Sequence, residues 1–463
     1  MYTEEQINLQ KEEDKRYLKE FWDRMESKIT DISDSHTAKR IRASLEDYCR
    51  EVFAGDLISW VGNLYDYPSG GFYYSNSGRD NDGFLPDLES TFQAMGWIFN
   101  NSMKAEGVTA HPEFYPDWMK EPLMRFIKDK QDENGYFYHP QWERSLTDSK
   151  PHRRGRDLEW ACKMLDWYGE SPTYDTPNGV RGNGLLSDGT PVEGFSHRES
   201  EAVAPKEELV APHLKNKEAF VEYLGTLDLR GNSYVVSNAI ESQTGQILQR
   251  DKVLSEMGAD YSLADILVDW FAEHQDKSTG LFTYKSPDVE GLNGLMKACS
   301  AVSRVKRPFP NPHRGLESAI AVIEGDEYMN SVCCVMNPLC TINTLMDSIN
   351  KFGSDEGDSE KYRKYLFSRS PEMIEATKNR ILAFKKPDGS FSFAPEFSSN
   401  LSQGHPVAVY HTYEGDVNAT MISTSAVIGH ILLFLGLPKP PIFTRADVMR
   451  LINILEERKN SAS

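Results

Sequence analysis

Between Ala38 and Leu64 the apolar residues Ile41, Leu45, Tyr48, Val52, Leu57 and Trp60 recur at three- and four-residue steps. That is the period of a helix with one buried face. The same period predicts helices over 87–103, 116–130, 217–227, 232–241, 262–274, 291–303, 314–323, 329–351, 371–384, 416–436 and 444–457, and another opening at Asp157. Residues 4–30 are highly charged with a weaker apolar stripe and read as a lead-in helix. No run of alternating apolar and polar residues suggests a sheet.

Between these helices one phrase returns four times: Gly70-Gly71-Phe72-Tyr73-Tyr74, Gly135-Tyr136-Phe137-Tyr138-His139, Gly280-Leu281-Phe282-Thr283-Tyr284 and Gly389-Ser390-Phe391-Ser392-Phe393. Each reads Gly-x-Phe, and the helix after it opens near Asp87-Leu88-Glu89-Ser90-Thr91, Asp157-Leu158-Glu159, Gly291-Leu292-Asn293 or Asp416-Val417-Asn418-Ala419-Thr420. Repetition of one supersecondary unit is a fold-level signal. Helix, Gly-x-Phe loop and helix, repeated, predict an all-α fold: an (α/α) toroid of about six helical hairpins with its loops collected at one rim. The expected layout is a lead-in helix over 1–36 and one toroid domain over 37–458. Residues 170–214, rich in turn formers, form an irregular insertion and a candidate lid. An acidic surface loop is expected at 353–360.

The run Pro86-Asp87-Leu88-Glu89-Ser90-Thr91 with Ala94, and Pro387-Asp388-Gly389-Ser390-Phe391, resembles the repeats of terpenoid cyclases and protein prenyltransferase β subunits. The resemblance covers about 60–453 as a pattern and implies an α/α toroid, a fold that also serves polysaccharide lyases and glycoside hydrolases. It implies a general acid in the middle of an Asp-x-Asp-Asp-Thr motif for a class II cyclase. In the nearest match, Asn418 takes that place and Ala419 that of the third Asp; Glu89 and Glu159 hold the middle place in the other copies. A prenyltransferase zinc site needs Asp, Cys and His together. The six cysteines lack such neighbours, and neither a metal nor a cofactor is expected.

The chain carries 51 basic and 70 acidic residues, a net charge of −19 over 463 residues. Such a surface repels nucleic acid and anionic lipid, so neither is an expected partner. The start of the chain lacks a basic-then-apolar leader, and the apolar run at 431–435 is short for a membrane span. With isolated cysteines read as buried free thiols, a cytoplasmic setting is expected.

Candidate chemistry gathers near the phrases. Glu89, Asp157, Glu159, His411, Tyr413, Glu414 and Asp416 are the candidate acids, bases and nucleophiles. Tyr74, Arg79, Trp142, Arg153, Arg154, His313, Arg314 and Tyr410 are the candidate substrate contacts. Carboxylates beside Arg forks and aromatic faces suit sugar rings, whose C–H faces stack while their hydroxyls hydrogen-bond. The reading is an enzyme on an oligosaccharide or uronate-containing substrate, acting by hydrolysis or β-elimination. An isoprenoid cyclase with a Glu acid and a toroid that only binds are the alternatives.

Overall fold

The structure, a computed structural model, describes residues 1–197, 210–283, 286–352 and 356–462. It is mostly helical, about 60% helix against 4% strand. The first half of the chain forms α1 (Glu4–Thr30), α2 (Ser35–Val52), α3 (Leu57–Gly62), α4 (Asn76–Arg79), α5 (Leu88–Asn101), α6 (His111–Phe114), α7 (Lys120–Lys128), α8 (Arg144–Asp148) and α9 (Pro151–Trp167). The second half forms α10 (Lys217–Gly225), α11 (Ser233–Glu256), α12 (Leu263–His274), α13 (Val289–Arg304), α14 (Pro312–Glu324), α15 (Val332–Phe352), α16 (Glu356–Leu382), α17 (Val417–Met421), α18 (Val427–Leu435) and α19 (Arg445–Ala462).

One succession of helices packs side by side: α9 on α5, α5 on α17, α18 on α15, α15 on α13 and α13 on α11. A second set lies against it, with α7 on α9, α12 on α11 and α13, α14 on α15, and α16 on α15 and α18. The buried apolar side chains form two main clusters, one spanning α2 and α11 to α18, the other α3, α5, α7, α9 and α19.

The Gly-x-Phe phrase is a tight turn that closes on itself. Gly70, Gly135, Gly280 and Gly389 all have positive φ, between 74° and 92°, a region open chiefly to glycine. Phe72, Phe137, Phe282 and Phe391 are each fully buried. Around the first turn, β1 (Tyr65–Asp66) pairs antiparallel with β2 (Gly71–Phe72); single bridges join Gln131 to Phe137 and Lys385 to Phe391. A second ribbon pairs β3 (Leu401–Ser402) with β4 (His405–Pro406). Tyr284, in the third copy, lies outside the described residues.

Several boundaries differ from the periodicity. The helix expected over 38–64 breaks between Val52 and Leu57. There Gly55, with φ 108°, passes so close to Gly389 that a Cβ would stand 2.6 Å from its Cα. Asp157 does not open its helix; Pro151 does, and Asp157 lies in the second turn. Residues 356–360 of the expected acidic loop begin α16, which continues because Leu366 and Phe367 bury in the core; residues 353–355 lie outside the described set. The apolar segment around 431–435 belongs to a helical stretch over Val417–Leu435, long and apolar enough to cross a bilayer, as is Val332–Phe352. More than half of each apolar window is buried against the rest of the chain.

Candidate functional site

The N-terminal end of α5 meets the first turns of α9 and the start of α17. Asp87 caps α5, its Oδ1 accepting from the Ser90 N–H at 3.0 Å, and Asp416 caps α17 through the Ala419 N–H at 2.7 Å. Four residues after each cap stands a threonine. Thr91 accepts the backbone N–H of Phe72 and Thr420 that of Phe391, both at 2.9 Å. The recurring Asp-to-Thr phrase thus ties each turn to the helix that follows.

A guanidinium lies among three carboxylates. Arg153, fully buried, donates Nε to Asp157 at 3.0 Å, Nη1 to Glu89 at 2.8 Å and Nη2 to Asp87 at 2.7 Å. Burial opposes its charge, yet Asp157, Asp87 and Glu89 hold it protonated well above the usual range. The centre of the cluster is therefore a fixed cation. Among the described residues no set of three His, Cys, Asp or Glu side chains is arranged for a metal ion.

Three carboxylates around one arginine leave an excess of negative charge, and burial makes that costly. Burial raises Asp157 to about 7 against the pull of Arg153. Burial also raises Glu89, against Arg153 and a hydrogen bond from the Ser402 hydroxyl. The neighbouring bases are held neutral. Burial, with Lys130 and Arg153 nearby, pushes His139 well down, and burial with Arg153 lowers His405. His139 Nε2 is 3.7 Å from Asp157. Trp142 lies under the guanidinium, 4.9 Å from its ring centroid, and donates Nε1 to the Pro406 carbonyl. Tyr74 packs with Trp142, and its hydroxyl is pushed up by burial and by Asp416.

Of the expected residues, Glu89, Asp157, Arg153, Trp142 and Tyr74 come together here. Glu414 and Asp416 adjoin through α17. Glu414 accepts from the Ser75 hydroxyl at 2.8 Å and the Ser77 N–H at 2.7 Å. Burial raises Asp416 to about 7.

The remaining expected residues lie elsewhere. Tyr410, His411 and Tyr413 are exposed, with His411 stacked on Tyr410 and Phe397, and Tyr413 under Lys386. Arg79 pairs with Asp80, and Arg154 with Asp148. His313 and Arg314 start α14 beside the third turn, where Gly280 approaches Arg314 and Gly315; Arg314 pairs with Glu317 and His313 stacks on Tyr362. The expected insertion is pinned at its near end: Gln131 bonds both the N–H and the carbonyl of Tyr174, each at 3.0 Å. Its residues 198–209 lie outside the described set.

On the side of the cluster that reaches solvent, sequence singled out Glu159 but not Trp160 or Lys163. Arg156, Glu159, Trp160 and Lys163 share one face of α9 by helical spacing, and Arg156 stands against Glu89, and Trp160 and Lys163 against Phe92, of α5. Glu89 Oε1 accepts from Gln93 Nε2 at 3.2 Å and meets Arg156 Nη1 at 3.4 Å. Gln93 also donates to Asn418 of α17. Arg156 remains 45% exposed, Glu159 58% and Lys163 52%, with the last two paired. Phe92 stacks on Trp160 at 5.6 Å and on Trp167 at 5.2 Å, and the stack continues through His111 to Phe99. Phe92, Trp160 and Trp167 are half-buried, so this aromatic column ends at the surface beside Glu89. The spacing of Arg156, Glu159, Trp160 and Lys163 was a readable signal, masked because Trp160 and Trp167 scan as core positions.

Together the fold and site define a mostly helical protein with repeated Gly-x-Phe turns and a buried arginine–carboxylate cluster that has one aromatic, solvent-reaching edge. No family model, curated protein or solved structure matches this chain.

Proposed function

We propose that the protein is an α/α toroid enzyme that hydrolyses a carbohydrate bearing an acidic group, at the edge between α5 and α9. The observation that carries this reading is Glu89: a carboxyl raised by burial, 2% exposed, with one oxygen fixed by Arg153 and the other turned to Gln93 and Arg156. Burial opposes the ionisation of Glu89, and a general acid for a glycosidic oxygen needs its proton held above the ordinary carboxylate range. Glu159 is the base of the pair. Trp160 and Phe92 supply a face for a sugar ring, and Arg156 a fork for its carboxylate. The repeated helix–turn–helix units and the side-by-side packing of α9, α5, α17, α18, α15, α13 and α11 support the toroid.

The cyclase alternative fits less well. Arg156 stands over the Trp160 ring at 5.3 Å and Lys163 over Phe92 at 5.8 Å. Fixed cations beside these rings repel a carbocation, whereas a substrate carboxylate is attracted to them.

The test is a panel of neutral and uronate-containing oligosaccharides, read by new reducing ends and by the absorbance of unsaturated uronates. New reducing ends from acidic substrates, lost in Glu89→Gln, support the reading. Unsaturated products mean β-elimination instead. Cleavage unaffected by Glu89→Gln removes Glu89 from the chemistry.

A further inference from the structure

The helical stretch that starts at Val417 contains one π turn, Ile422–Ala426. A π turn admits an extra residue and re-aims the side chains it carries, and such turns recur at functional sites. Here it brings Ser425 to the end of α5. Lys439 Nζ donates to Ser425 Oγ at 2.6 Å and to Asn101 Oδ1 at 2.5 Å, and Ser425 Oγ donates to the same Asn101 oxygen at 3.1 Å. Asn101 is 3% exposed, and its amide is oriented by donating to the Trp97 carbonyl at 2.6 Å.

Lys439 has no carboxylate partner among the described residues. The titratable groups that bear on it are Cys49 of α2 and His430 of α18. Burial lowers Lys439 to about 8. Burial pushes the Cys49 thiol up to about 12, and burial with Lys439 lowers His430, so both neighbours are neutral. Ser425 and Lys439 are themselves only half-buried. Asn101 stands 12 positions after Glu89 on α5, about 18 Å along the helix, so this cluster is separate from the carboxylate site.

We propose that Ser425 and Lys439 form a nucleophilic dyad that accepts an acyl group from a small ester. The unprotonated amine of Lys439 takes the Ser425 hydroxyl proton as Oγ bonds to the ester carbonyl carbon. The carbonyl electron pair moves to oxygen and returns as the alkoxide leaves, and the alkoxide takes the proton from Lys439. Water, deprotonated by the same amine, then attacks the acyl-serine, and collapse releases the carboxylic acid and restores the Ser425 hydroxyl. The sum is ester plus water to acid plus alcohol. For this the Ser425 hydroxyl turns its hydrogen from the Asn101 oxygen to the amine lone pair, while Asn101 holds the amine beside Oγ through one of its two N–H bonds.

The experiment treats the full chain with a fluorophosphonate probe and locates the adduct by peptide mass mapping, with a pre-steady-state burst on p-nitrophenyl acetate as second readout. One adduct at Ser425, absent from Ser425→Ala, is expected. Lys439→Arg keeps the cation and its hydrogen bonds but cannot take a proton, and labelling should slow by about 10²-fold or more. An unlabelled wild type, an adduct elsewhere, or equal labelling of a folded Lys439→Arg overturns the dyad. If Lys439→Arg does not fold, Ser425→Ala decides alone: a burst that survives it overturns the proposal.

Discussion

The hydroxyl of Thr420 accepts the backbone N–H of Phe391 at 2.9 Å, holding the fourth Gly-x-Phe turn to the start of α17. Phe391 is fully buried. Thr420→Val keeps the shape but leaves that N–H unpaired, which costs about 1–3 kcal/mol; Thr420→Ser should recover most of it. Phe391→Ala should cost about 3–5 kcal/mol as a buried aromatic truncation. Urea unfolding of the three variants measures both, and a Thr420→Val protein as stable as wild type would mean the bond contributes nothing.

Arg153 contacts Asp87, Glu89 and Asp157 together. Arg153→Met leaves three buried carboxyls without it and should cost about 3–5 kcal/mol. Arg153→Lys should recover little, because an ammonium cannot fork to three partners. Adding Asp157→Asn to Arg153→Met should restore part of the loss, and thermal unfolding reads all three.

Asp157 gives a pH dependence of defined sign. Its carboxyl is held at about 7 against an ordinary 3.8, by burial first. Between those values the folded protein keeps a proton that the unfolded chain has released. Its contribution to stability is therefore most favourable at low pH and falls as pH rises through 7. Asp416 acts in the same direction, whereas Lys130, at about 7, and Lys439, at about 8, favour the fold as pH rises toward 10.5. Asp157→Asn isolates the first effect. The unfolding free energy of wild type minus that of Asp157→Asn should fall by about 3 kcal/mol from pH 5 to pH 8. A difference constant with pH would mean that Asp157 is ionised throughout.

Trp160 is half-buried and ends the aromatic column. Trp160→Ala should raise KM for an acidic oligosaccharide about fivefold with little change in melting temperature, since one stacked face contributes about 1 kcal/mol. Glu89→Gln should instead lower kcat by about 10²-fold or more. Equal KM effects from both would place Glu89 in binding rather than proton transfer.

Gly135 has φ 79°, and a Cβ there would stand 2.3 Å from the Asp175 carbonyl. Gly135→Ala should cost about 1–3 kcal/mol and free the strand of chain anchored at Tyr174. Faster amide exchange over 173–183 is the local readout; unchanged exchange would mean that this contact does not hold the segment.

The turns and helices were legible because their causes are local. A positive-φ glycine, a buried Phe and an Asp followed by Thr at the fourth position write the same unit wherever they occur, and the three- and four-residue apolar step marks the helices between. Boundaries were less legible where a distant contact sets them. Gly55 ends α2 because Gly389 lies against it, and Pro151 rather than Asp157 opens α9.

The sequence by itself determined that Glu89, Asp157 and Arg153 sit beside repeated turns, and that carboxylates and arginines would be available there. Only the tertiary structure decided that Arg153 is consumed by Asp87, Glu89 and Asp157, while Arg156, three positions on, keeps a face to solvent. It likewise sent His411 and Tyr413 outward and Glu414 inward from one short loop. Composition fixes which charges exist. Burial fixes what each does, because the cost of an unpaired charge depends on how much water remains around it, and helices far apart in the chain decide that.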